Sequence, residues 1–131
     1  MPIKNAQRTV PALQYYRNTS YETLAVSWFT RDGWEVFLPV IDHGQKTDLV
    51  VAEGAEYYRI QIKSVETSDE NAIVENKWGE ENISYVIYFS RTADWGYIAL
   101  PFTEKQKKLN SPDHIRFNQD PQHFIEAFKS I

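Results

Sequence analysis

Residues 47–64 read TDLVVAEGAEYYRIQIKS, and the fold turns on how this stretch pairs with itself. It splits at Glu53-Gly54 into two β-type runs, Asp48 to Ala52 and Tyr57 to Ser64, rich in Val, Ile and Tyr, so a hairpin is expected. Side chains alternate along a strand. In the second run Arg59, Gln61 and Lys63 therefore share one face, and Tyr58, Ile60 and Ile62 share the other. In the first, Asp48 and Val50 face away from Leu49 and Val51, leaving a lone carboxylate at the start of an otherwise apolar strand. The hairpin brings Asp48, Gln61 and Lys63 together.

Upstream of the hairpin, Trp34 to Leu38 reads as a strand closed by Pro39, followed by a polar connection from Asp42 to Lys46. Before it a helix is expected from Thr19 or Ser20 to Gly33, a residue suited to the left-handed position after a helix. Tyr21, Leu24, Ala25, Trp28 and Phe29 form its apolar stripe. Glu22 falls inside that arc, where a carboxylate is costly without a partner. Thr19-x-x-Glu22 also fits a capping box, and both readings can hold at once. Residues 1–18, with Pro2 and Pro11, read as an arm.

Downstream, Asn71 to Lys77 is a further candidate strand, and Tyr85 to Phe89 and Tyr97 to Leu100 are strands joined by a turn carrying Asp94 and Gly96. Thr103 and Gln106 match a capping box, which predicts a short helix through Leu109. A brief strand near Ile115 to Phe117 follows. Asp120-Pro121 then opens a final helix with Phe124, Ala127, Phe128 and Ile131 on one side. This order implies an α/β sandwich with a mixed sheet.

With 131 residues, 42% hydrophobic and 24% charged, the chain has the length and composition of one folded domain. It has no cysteine, which excludes disulfides and thiolate zinc sites. Neither a bilayer-length apolar run nor a signal-type N-terminus is present, so a soluble, cytoplasmic protein without a membrane partner is expected.

The net charge of −4 weighs mildly against a nucleic-acid partner, but its distribution softens the objection. Lys4, Arg8 and Arg17 all precede the first acid, Glu22. Glu66, Asp69, Glu70, Glu75, Glu80 and Glu81 are opposed only by Lys77, which reads as a solvated acidic loop. His43, His114 and His123 have no metal-ligand spacing and suit surface or packing roles. Asp42 is a turn residue that would lie near Asp48. There is no glycine-rich phosphate loop. Aromatic residues make up 15% of the chain and fall mostly in core stripes.

Taken together, Glu22, the GWEVFLP segment from Gly33 to Pro39, the TDLV strand with Asp48 and the QIKS strand with Gln61 and Lys63 resemble the PD-(D/E)XK nuclease superfamily. The later YVIYF and GYIALP runs resemble strands of its homing-endonuclease and resolvase-like branches. The likeness runs from Glu22 to Leu100, with Gln61 standing where the family's second acid is usual, as in glutamine variants of the intron-encoded homing branch.

That resemblance implies a restriction-endonuclease-like fold, a central mixed sheet flanked by helices, and a metal-dependent DNA endonuclease. Asp48, Gln61, the Ile62 carbonyl and Glu22 would bind Mg²⁺ or Mn²⁺, while Lys63 would act on the attacking water and the phosphate. Lys4, Arg8, Arg17, Arg91, Lys105, Lys107 and Lys108 are the candidate DNA contacts. A homodimer or homotetramer would bring two sites to a duplex. A Holliday-junction resolvase-like or repair nuclease is the neighbouring reading. A non-catalytic DNA- or protein-binding subunit on the same fold is the reading from another class.

Overall fold

The first helix, α1, runs from Val10 to Arg31 in the computed structural model, which describes residues 4–41, 46–79 and 82–131. Thr9 is its N-cap, accepting from the Ala12 N–H at 3.3 Å, and Pro11 lies in the first turn. The expected start at Thr19 or Ser20 is thus corrected by about three turns. Pro11 reads as a breaker in an arm, yet a proline in the first turn gives up only an N–H that has no helical partner. The Thr19 hydroxyl donates to the carbonyls of Tyr15 and Tyr16 in mid-helix, so Thr19 does not cap and the Thr19–Glu22 box does not form. Gly33, at φ +91°, turns the chain out of the helix as expected.

Among the described residues, eight strands and a second helix follow. They are β1 Glu35–Phe37, β2 Leu49–Glu53, β3 Glu56–Val65, β4 Ile73–Glu75, β5 Tyr85–Ser90, β6 Trp95–Ala99, β7 Gln106–Lys108, β8 Ile115–Asn118 and α2 Pro121–Ser130. Six form one sheet in the order β1-β2-β3-β5-β6-β8. Its one parallel pair is β3 with β5, so the sheet is mixed. The helix expected from Thr103 is instead β7, which pairs antiparallel with β4. A capping pattern alone could not hold a helix there, because Lys105 to Lys108 offers no apolar stripe to bury.

The sheet separates two cores. On one face Ile60 and Ile62 of β3 and Ile87 and Phe89 of β5 pack against Trp28 and Phe29 of α1 and Phe124 and Phe128 of α2. The ring of Phe29 meets those of Phe124 and Phe128 edge to face, Phe29 and Phe128 lying 4.8 Å apart at 81°. On the other face Val86 and Tyr88 pack with Val74, Trp78, Phe102 and Leu109, under the β4–β7 ribbon and its connections. Both helices therefore lie on one side of the α/β sandwich, and a ribbon covers the other. The buried residues of α1 are Ala25, Trp28 and Phe29, so its first half projects past the sheet with mostly exposed side chains. No helix among the described residues is long and apolar enough to cross a membrane.

Candidate active site

The site begins where β2 stops and β3 continues. Leu49 pairs with Ile60, so Asp48 stands opposite Gln61, and both face away from the helices. The Asp48 backbone N–H still donates to the Ile60 carbonyl at 2.9 Å, but the next ladder position is taken by a side chain. Asp48 Oδ2 accepts from the Ile62 N–H at 2.6 Å. Residues of a strand send N–H and C=O to the same edge, so the Ile62 carbonyl points to this opening too.

Beyond that edge lies a cleft of about 560 Å³. Its walls are Tyr15, Asn18, Thr19 and Glu22 of α1 on one side and Ile73 to Glu75 with Lys77 on the other, and Ile62 to Val65 form its floor. Glu22 is half-buried and turned into the cleft, as its place on the helical wheel suggests. Lys63 shares the cleft. Burial pushes its ammonium below the ordinary lysine range, nearby Lys77 and then Lys46 lower it further, and Asp48 opposes the shift.

Asp48 and Gln61 do not line the cleft itself. Asp48 sits at its edge through Ile62, and Gln61 lies beneath, 7% exposed, its Oε1 buried with no hydrogen-bond partner among the described residues. A buried acceptor without a donor is costly, and this one faces as Asp48 faces. Hard divalent ions prefer oxygen donors, so two carboxylates, an amide oxygen and a carbonyl suit such an ion in kind. Among the described residues no three His, Cys, Asp or Glu side chains group to hold a metal. A third protein ligand would have to be the amide or the backbone oxygen.

The expected DNA contacts fall into two groups. Lys4, Arg8, Arg17, Lys105 and Lys108 are exposed. Lys107 lies in register with buried Val74, pairs with Asp113 and stands 5.7 Å from the centre of the Phe102 ring. Arg91 is ion-paired to Glu66 at 3.2 Å and donates to Asn18 Oδ1 at 2.9 Å. His114 is buried against the Leu109 carbonyl, a packing role, and His123 is exposed and meets Asn118, a surface one. Asp42 and His43 lie outside the described residues.

Asn18, Tyr15 and Glu75 also line the cleft, and none is evident from the chain alone. Glu75 reads as part of a solvated acidic run, and only the pairing of β4 with β7, some thirty residues on, carries it there. Asn18 and Tyr15 share the Glu22 face of a helix whose start Pro11 conceals.

No family model matches the chain, and no curated protein matches it. Among solved structures, a bacterial homing endonuclease, I-Ssp6803I, is similar to it, with a TM-score of 0.56 and 16% identity over 70% of each chain. At that identity the likeness is one of fold, and it agrees with the mixed sheet described above.

Proposed function

We propose that this protein is a metal-dependent DNA endonuclease of the PD-(D/E)XK type, closest in kind to homing endonucleases. The observation that carries the reading is the meeting of Glu22, Lys63 and the Asp48-bonded Ile62 at one open strand edge. Asp48, Gln61, Glu22 and the Ile62 carbonyl would hold Mg²⁺ or Mn²⁺. The bound ion would polarise a phosphoryl oxygen and make water a better nucleophile.

The chain's own groups do the rest. Lys63, with its pKa lowered by burial, holds its proton less firmly than a surface lysine, so it can orient the water and exchange a proton with it. As an ammonium it offsets charge developing on the phosphate. Glu22 orients water from the helix side. Exposed Lys4, Arg8, Arg17, Lys105 and Lys108 would supply phosphate contacts. One chain carries one such site, so double-strand cleavage is simplest for a symmetric homodimer or homotetramer.

A non-catalytic DNA-binding subunit is the second reading, favoured by Gln61 in the place of an acid. Supercoiled and branched DNA incubated with the protein, in Mg²⁺ or in EDTA, separates the two. Cleavage that needs Mg²⁺ and falls at least about a hundredfold in Lys63→Ala and Asp48→Asn is expected. Equal behaviour of wild type and both variants would remove the catalytic assignment.

A further inference from the structure

A second pocket of about 360 Å³ lies on the other side of α1 from the catalytic cleft, lined by Arg17, Ser20, Glu66, Arg91 and Thr92 over the ring of Tyr21. Two guanidinium groups and two hydroxyls meet there with a single carboxylate. The Arg91 side chain is 22% exposed whereas that of Glu66 is 72% exposed, so the arginine is anchored and its acid lies at the solvent. Asn18 fixes Arg91 from the catalytic side at 2.9 Å, and Ser64 Oγ approaches the same amide oxygen at 3.4 Å. Asn18 and Ser64 both line the catalytic cleft, so the pockets share a wall. Arg91 Nε is buried with no hydrogen-bond partner among the described residues. A guanidinium that meets an exposed carboxylate through one Nη and shares its pocket with a second guanidinium is better completed by an anion with three oxygens.

We propose that this pocket seats a backbone phosphate of the DNA strand next to the one held at Lys63, and that Glu66 is a built-in counter-anion which the phosphate displaces. The inference rests on the DNA-endonuclease reading. Glu66 then lowers affinity for DNA while holding Arg91 in place in the free protein. An exposed ion pair is weak and exchanges readily, which suits a group meant to leave.

Duplex binding measured in EDTA, without cleavage, tests this. Glu66→Gln is expected to tighten binding about two- to fivefold. Glu56→Gln, at the far hairpin turn, controls for net charge and should change it less. In an Arg91→Gln background the Glu66 effect should vanish, and Arg91→Gln or Arg17→Gln alone should weaken binding and reduce the salt slope by about 1. If Arg91→Gln does not fold, Arg91→Lys, which loses the planar fork, takes its place. Inorganic phosphate should also shift the Arg91 Nε–H resonance, more so in Glu66→Gln. Equal effects of Glu66→Gln and Glu56→Gln, or a Glu66 effect that survives loss of Arg91, would overturn the proposal. A phosphate-induced shift with no change in DNA affinity would overturn the DNA assignment. Wild type that binds no DNA would instead overturn the endonuclease reading beneath it.

Discussion

Lys63 is the residue at which stability and the proposed chemistry oppose each other. Its folded-state pKa lies below the ordinary value of 10.5, chiefly because it is partly buried. Between those two values the unfolded chain binds more protons than the folded one, so the Lys63 contribution to stability rises with pH across that window. Below the window the cost is constant and full. Lys63→Met removes it, so the variant should melt above wild type near neutral pH, and the gap should close as pH climbs toward the lysine range. Thermal melts from roughly pH 6 to 10 check this, and a variant that melts lower throughout would show that Lys63 supports the fold. The structural role of Asp48 is separable from the metal ligation proposed for it. Asp48→Asn keeps an acceptor for the Ile62 N–H and should unfold within about 1 kcal/mol of wild type, whereas Asp48→Ala leaves that N–H unpaired and should cost about 2 kcal/mol in denaturant titrations. Asp48 and Lys63 were legible because one short hairpin sets both. The unpaired oxygen of Gln61 was not, since its isolation depends on the ribbon packed over it from far along the chain.

Elements that follow from local chemistry alone were read correctly. The Val- and Ile-rich runs of β2, β3 and β5 and the Asp120-Pro121 start of α2 need no distant partner to be recognised. The start of α1 and the strand β7 needed more. Pro11 stops a helix in the middle and favours one in the first turn, and only the cap at Thr9 decides between them. β7 is a strand because β4 is opposite. Two expectations follow at this scale. The projecting half of α1 buries little, so amides from Leu13 to Tyr21 should exchange hydrogen far faster than those from Ala25 to Thr30. Uniform protection along the helix would contradict this. In the sheet, a methyl group added at Gly96 would stand 2.5 Å from the Tyr88 carbonyl oxygen and overlap the ring of Phe117. The carbonyl cannot withdraw without loosening the β5–β6 pairing, and Phe117, opposite Gly96 on β8, is buried in the core, so Gly96→Ala should cost about 3 kcal/mol by chemical denaturation.

At the scale of the whole molecule, the candidate cleft is only as well formed as the junction between sheet and ribbon. Glu70 lies in the crossover from β3 to β4, and its Oε1 accepts from the Tyr97 hydroxyl at 2.6 Å and from Arg116 Nε at 2.7 Å. Its carbonyl takes the Asn110 N–H beyond β7 at 3.1 Å, so one residue ties the crossover to β6, β8 and the ribbon. The Tyr97 hydrogen bond first, and Arg116 second, hold the Glu70 carboxyl below the ordinary value of 4.5. Because the folded value is the lower one, this stabilisation is complete above the unfolded pKa and disappears as pH falls through the folded one. Glu70→Gln should therefore cost about 1 kcal/mol at neutral pH, a figure reduced for partial exposure, and show a shallower loss of stability in acid. The two melting curves should converge at low pH. Because β4 forms one wall of the cleft, Glu70→Gln should also weaken DNA binding, whereas Glu56→Gln, at a more exposed acid, should leave it unchanged or slightly tighter, although neither residue would touch the phosphate. Parallel acid limbs for wild type and Glu70→Gln would show that the junction is held by apolar packing around Trp78 and Phe102 instead, and the cleft wall would then be indifferent to the charge of Glu70.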